Sequence, residues 1–562
     1  MFENLLINSI TLAAGRSPGA GPQSVDLCHL TVFVGPNSSG KSLALSEINR
    51  TTQYQSFAAG SVISRMQLTP LTLEEAESVL SLYARPPGPD EGRVPSGNLL
   101  YRHKSGQDSN PKPYLLSMLQ NPTAQPERFQ QLYINNVTIN LNVETRANMT
   151  VQKPMSDLRS PDPFNNYQVL FIKDNLRMRV REIIFRAFKK YFVLDPTNGN
   201  LRIALSNRPP ADDNEEKGLK AESLAFYDSC DSIEKFSAGV KAYTGVIVEL
   251  VAGNPRVVVI DEPEAFLYPP LAQQLGSELA VLATETGKNV FAATHSAQFL
   301  MGCLYSGAAL DVIRLTYQDG VATARVLKNP ELTKMMRNPL LRSAGVMNAL
   351  FYECVVVTES DSDRAFYQEI NERLLKASDG RGIPNCLFLN AQNKQTVRMI
   401  VQPLRAIGIP TASIVDIDIL KEGKSVWSDY LESGTLPEVD KKAMATSRAL
   451  LNAAFEAKAP KNMKKDGGIG LLKKTDMEAA NNLFERLEEY GLFVVRGGEV
   501  ESWLKSLGVV GHTPDWLSKI FEKLGEDPAD SQYIKPGHDD VWAFMDNVGR
   551  WLLNPERKGI PD

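Results

Sequence analysis

Several groups of residues in this chain have the types and spacing to do chemistry. The first is Gly35-Pro36-Asn37-Ser38-Ser39-Gly40-Lys41-Ser42. Glycines at that spacing let a backbone turn tightly and present its N–H groups to an anion. Lys41 supplies a cation for β- and γ-phosphates, and the Ser42 hydroxyl is placed to ligate Mg²⁺. Gly35, Asn37, Gly40, Lys41 and Ser42 are therefore the expected contacts to a nucleoside triphosphate. The second group is Asp261-Glu262-Pro263. Asp261 is expected to hold Mg²⁺, directly or through water, and Glu262 to orient and deprotonate an attacking water. The third is a set of scattered acids: Glu359, Asp363, Asp416, Asp418, Glu499 and Glu501. Carboxylates gathered in one pocket need a neutralising cation. An all-oxygen set suits Mg²⁺ or Mn²⁺.

Each group needs an element to aim it. Residues 30–34 form a short apolar, β-branched run before the phosphate loop, and residues 43–48 after it have helical character. Strand, loop and helix is the context the motif demands. Residues 257–260, all aliphatic, read as a strand buried on both faces of a parallel sheet, ending in Asp261. Residues 354–358 repeat that pattern and end in Glu359, followed by a helix over 364–376. Residues 412–415 lead into Asp416-Ile417-Asp418, whose alternation places both carboxylates on one side of a strand. The same i, i+2 spacing suits Glu499 and Glu501 on an extended segment.

Length and composition bound the rest. A chain of 562 residues exceeds one core and suggests about 3 to 4 domains. Net charge is −5, which argues against a generally basic nucleic-acid coat but leaves room for a local basic channel. The five cysteines, at 28, 230, 303, 354 and 386, have no C-x-x-C spacing. That disfavours zinc and disulfides and fits a reducing cytoplasm. No apolar run reaches the roughly 18 residues that span a bilayer, and residues 1–15 lack the basic start of a signal peptide. Proline- and glycine-rich stretches at 85–97 and 154–166 mark an insertion over about 60–230. The basic helix expected over 175–192, with Arg177, Arg179, Arg181, Arg186, Lys189 and Lys190, reads first as a solvated face. Residues 340–352 read as a connecting helix. Residues 458–474 form a basic glycine-containing loop with Lys458, Lys461, Lys464, Lys465, Lys473 and Lys474. It is a candidate to touch a DNA backbone.

Residues 235–243, KFSAGVKAY, resemble the signature motif of ABC-type ATPases. The resemblance implies that Ser237 and Gly239 meet the γ-phosphate of a second subunit, although Ala238 and Val240 depart from the family's glycine and glutamine. Residues 290–296, VFAATHS, resemble that family's switch segment, with His295 at the γ-phosphate. Gln67 stands as its Q-loop candidate. The later acids resemble a TOPRIM domain: Glu359 followed by Asp416 and Asp418, with Asp363 completing an E-x-x-x-D, although Ser360 replaces the usual glycine.

An ABC-type ATPase followed by TOPRIM resembles the OLD (overcoming lysogenization defect) family. The implied fold is α/β: an ATPase domain over 1–330 with a helical insertion, a connecting helix over 331–352, and a Rossmann-like TOPRIM domain over 353–562 with a C-terminal helical tail. The implied activity is ATP binding and hydrolysis together with divalent-metal-dependent DNA cleavage in antiphage defence, with ATP either activating or restraining the cut. The ligands would be ATP, with Mg²⁺ or Mn²⁺ at the acids, and a cytoplasmic homodimer or higher oligomer would act on DNA. A product of the same defence operon, such as a retron reverse transcriptase with its RNA–DNA, would be the partner. The family also uses a basic residue near the site, for which Lys535 and Lys505 are candidates. Competing readings are an SMC- or RecF-like DNA-binding scaffold with an inactive TOPRIM domain, and a topoisomerase or primase. The last two lack the breakage domain and zinc module they would need.

Overall fold

Apolar β-branched runs in the chain become the inner strands of two parallel sheets, one in each of two compact units, Met1–Val34 with Ser38–Asn329 and Gly35–Asn37 with Pro330–Asp562. The computed structural model describes residues 5–53, 61–88, 94–103, 106–124, 126–155, 158, 165–457 and 462–561. Lys458 and Lys461 of the basic loop lie outside the described residues.

The first unit is built on a six-stranded sheet. Its order is Val321–Leu327, Leu310–Gln318, Leu30–Val34, Asn289–Ala293, Val257–Asp261 and Thr138–Leu141. All neighbours are parallel except the hairpin at the Val321–Leu327 edge. Leu30–Val34, Val257–Ile260 and Asn289–Ala293 are buried throughout, as strands covered on both faces must be. Fully burying each valine or isoleucine contributes about 1.5–3 kcal/mol. A three-stranded antiparallel sheet, Gln23–Asp26, Ile7–Leu12 and Ile63–Leu68, packs into the same core.

The insertion expected over about 60–230 is not wholly an insertion. Ile63–Leu68 pairs with Ile7–Leu12, and Thr138–Leu141 is the edge of the six-stranded sheet beside Val257–Asp261. Thr-Ile-Asn-Leu is too short and too polar to announce a sheet strand. The basic helix runs Asp174–Phe188, shorter than expected, and its face is not simply solvated. Arg177 and Arg181 are buried and share the buried Glu216. Arg179 reaches Glu285, and Arg186 reaches Glu278.

The second unit has a four-stranded, all-parallel sheet ordered Cys386–Asn390, Cys354–Thr358, Thr411–Asp416, Leu492–Val495. Helices Asp361–Ala377 and Asp540–Leu553 cover it through a core rich in Phe366, Trp516, Trp542 and Phe544. The single connecting helix over 340–352 does not form. Helices Asn329–Arg337 and Pro339–Ser343 and a 3₁₀ turn at Val346–Phe351 replace it. Pro339 cannot continue a helix from before it, and Gly345, with φ +70°, ends the next turn. All five cysteines are free thiols. No helix among the described residues is long and apolar enough to cross a membrane.

Candidate functional site

The phosphate loop leaves the carboxyl end of Leu30–Val34, and helix Lys41–Gln53 begins at its lysine. Gly35 and Gly40 take φ values of +146° and +95°, which favour residues without a Cβ. The strand register brings Val34, Ala293 and Asp261 to one end of the sheet. In open α/β sheets that end is where ligands bind. Lys41 is only 4% exposed. Burial lowers its pKa to about 8, while Asp261, Glu262 and Glu264 pull the other way. Ser42 is exposed at the first turn. The buried Ser39 hydroxyl has no hydrogen-bond partner, as suits a loop shaped around an anion.

Glu262 follows the strand in the left-handed region, φ +48°, its N–H donating to the Ala293 carbonyl at 2.9 Å. Strain of this kind collects at functional positions. His295 is exposed just past its strand, and its N–H donates to Glu264 Oε1 at 2.9 Å. Desolvation and Lys41 hold its imidazole below its ordinary pKa. Ser237 is the exposed N-cap of helix Ala238–Ala252, and its hydroxyl makes no cap bond. Gly239 is buried, and a Cβ there would meet the Phe266 carbonyl at 2.5 Å. Its glycine is thus explained by packing on the loop after Asp261.

Sequence reasoning missed Arg146 and Glu264. Arg146 is fully buried, its Nη2 donating to the Asp261 carbonyl at 2.9 Å. Burial lowers its pKa, against Glu264, Asp261 and Glu262. Burial also raises the pKa of Glu264. Only contact across the fold relates these residues to Lys41. Gln67, by contrast, lies on Ile63–Leu68, where its side chain accepts from the Ser9 hydroxyl at 3.3 Å.

In the second unit the acids meet at the carboxyl ends of adjacent strands. Glu359, Asp416 and Asp418 offer ligand atoms within 4.8 Å of one another, and so do Glu499, Glu501 and His512. Asp416 ends its strand, but Asp418 lies in the following 3₁₀ turn rather than on the strand. Glu499, itself extended, caps another 3₁₀ turn that contains Glu501, so the two do not share one extended segment. Glu359 Oε1 accepts the Asp416 N–H at 2.8 Å. Burial pushes the Glu359 carboxyl up to about 7, with Asp418 adding to the rise and Lys394 and Lys464 opposing it. Burial and Glu359 likewise hold Asp416 well above the usual carboxylate range. Asp363 is in neither cluster. Its Oδ2 accepts the Ser360 N–H at 3.0 Å in a capping box of helix Asp361–Ala377.

The cations that meet these acids are Lys464, from the basic loop, and Lys394. Lys464 Nζ lies 2.5 Å from Asp416 Oδ2 and 3.7 Å from Glu499 Oε2. Lys394 Nζ lies 2.7 Å from Asp418 Oδ2 and 3.0 Å from Glu422 Oε1. Burial works to lower the Lys464 pKa, but Asp416, Asp418 and Glu359 hold it above its ordinary value. Lys535 and Lys505 are exposed, and Asp416 and Asp418 pair with Lys464 and Lys394. The Lys464 loop is seated by bare backbone. A Cβ on Gly498 would fall 1.9 Å from the Lys464 carbonyl, and one on Gly468 would fall 2.1 Å from that of Arg496.

The donor chemistry fits a divalent cation. The sets are carboxylate-rich, lysine ammonium groups stand in for a cation, and the buried Asp418 Oδ1 has no partner. Glu359, Asp416 and Asp418 would hold one ion.

Residues 128–301 match the family described as "AAA domain, putative AbiEii toxin, Type IV TA system". The chain therefore carries an AAA-type ATPase domain. No curated protein matches it. Among solved structures it is similar to the SMC head domain from Thermotoga maritima, at 13% identity and TM-score 0.30, over 58% of this chain and 100% of that one. An Smc head bound to the C-winged helix domain of ScpA gives 14%, 0.31, 58% and 99%. The Smc head domain with an extended coiled coil, bound to the C-terminal domain of ScpA and derived from Pyrococcus furiosus, gives 13%, 0.31, 59% and 98%.

Proposed function

We propose that this protein is an ATP-gated, divalent-metal-dependent DNA endonuclease of the OLD type, acting in antiphage defence. The observation that carries the reading is the convergence of Glu359, Asp416 and Asp418 at adjoining strand ends, beside Glu499 and Glu501. Divalent ions held by these acids would supply an activated water and stabilise the departing 3′ oxygen. The Asp416 N–H fixes Glu359 Oε1, so the other oxygen of that carboxylate is left to face a cation. Lys464 and Lys465 lie beside the acids and suit contact with backbone phosphates, which gives little sequence preference.

In the first unit, Lys41 and Ser42 would hold the triphosphate and its Mg²⁺ with Asp261. Glu262 and His295 would act at the γ-phosphate, and Ser237 and Gly239 would serve that of a second subunit in a homodimer or larger assembly. Asn37 would complete the phosphate loop. A partner encoded beside it would set the trigger.

The test is cleavage of plasmid and single-stranded DNA with Mg²⁺ or Mn²⁺, with and without ATP. Glu359→Ala and Asp416→Ala are expected to abolish cutting while ATP turnover persists. Cutting by both variants would overturn the nuclease site.

One observation favours a second reading, an SMC- or RecF-like scaffold with an inactive TOPRIM fold. Lys464 and Lys394 already neutralise Asp416 and Asp418 without a metal. On that reading wild-type protein binds DNA, hydrolyses ATP and never nicks it.

A further inference from the structure

Glu499, Glu501 and His512 bring two carboxylates and an imidazole together, with one ligand atom from each within 4.8 Å of the others. A cation with bonds of about 2.2 Å spans ligand atoms up to roughly 4.4 Å apart. Three ligands ringed about one such ion lie at most roughly 3.8 Å from one another, and His512, which is exposed, is the ligand that can close on the acids. Two further contacts show where the ligand atoms face. Lys465 Nζ lies 3.5 Å from His512 Nε2. An ammonium group can only donate, so Nε2 turns its lone pair toward a positive charge. Lys464 Nζ lies 3.7 Å from Glu499 Oε2. Both protein cations stand where a metal ion would be attracted. Thr513, next to the histidine, donates its N–H to Glu501 Oε1 at 2.9 Å, tying the His512 segment to the acids.

We propose that Glu499, Glu501 and His512 form a mixed nitrogen–oxygen cation site, next to the all-oxygen site of Glu359, Asp416 and Asp418, and that His512 makes it prefer Mn²⁺ to Mg²⁺. Imidazole suits transition metals, whereas Mg²⁺ keeps to oxygen ligands and its own water. The all-oxygen neighbour has no such bias. The inference rests on reading the acids as a metal site and adds a ligand and a metal preference to it.

The experiment uses the full chain with Mn²⁺ and Mg²⁺ alone, without DNA. Pulsed electron paramagnetic resonance of bound Mn²⁺ is expected to show nitrogen coupling in the wild type and none in His512→Ala. Calorimetry is expected to show that His512→Ala weakens Mn²⁺ at one site by at least about tenfold, with Mg²⁺ binding within about twofold. His512 is exposed, so thermal melting of the variant should match the wild type. Absence of nitrogen coupling in the wild type, or an unchanged Mn²⁺ isotherm in His512→Ala, would overturn the proposal. Asp416→Asn separates the two failures. If it weakens metal binding while His512→Ala does not, only the histidine assignment falls. If neither variant alters metal binding, the metal-site reading falls with it.

Discussion

Lys41 carries a charge that the free protein accommodates poorly, since burial brings its pKa from 10.5 to about 8. Between those values the unfolded chain binds more protons than the folded one. Its contribution to stability therefore rises with pH across that window, and below about 8 the buried cation is a penalty. A bound triphosphate reverses the balance by favouring the ammonium form. ATP binding at pH 8–9 should then take up a proton. Calorimetry in buffers of different ionisation enthalpy will show it as a buffer-dependent heat, and Lys41→Met should lose both that heat and the binding. Equal heats in all buffers would contradict the argument.

The elements hold charges as deliberately as the sites do. Helix Asp174–Phe188 turns Arg177 and Arg181 onto Glu216, all three buried. Arg177 Nε meets Glu216 Oε1 at 2.8 Å. Removing one partner of a buried ion cluster leaves charge without compensation. Glu216→Ala should lower unfolding free energy by about 3–5 kcal/mol in denaturant titration. A solvated helix face would give a loss near zero, so the measurement decides between the sequence expectation and the packing. Where a strand is buried on both faces, its residues announce it, as Val257–Ile260 and Cys354–Thr358 do. The acids and the phosphate loop at those strand ends were legible for the same reason. Thr138–Leu141 was not, because its place depends on a neighbour more than a hundred residues away along the chain. Lys394, His512, Arg146 and the pairing of Lys464 with Asp416 were hidden likewise. Each is an ordinary residue locally, and only tertiary contact puts it beside an acid.

At the scale of the whole molecule, the sheet that carries Asp261 and the acidic clusters lie in different units, so ATP and the divalent ions proposed here can be withdrawn one at a time. Many metal sites are also folding sites: their carboxylates or thiolates repel until the ion arrives, and chelators unfold them. Here the metal-free acids are already neutralised from within. Chelation by EDTA should leave a single set of secondary-structure signals and an undiminished cooperative melt, seen by circular dichroism, while cleavage stops. Unfolding on chelation would refute it. The bare α-carbon of Gly498 then has a consequence beyond packing. By letting the Lys464 backbone come so close, it gives the protein a resting form with its own counter-ion. Scarcity of divalent metal would disarm such a protein without destroying it, and the same molecules would be ready for use when the ion returned.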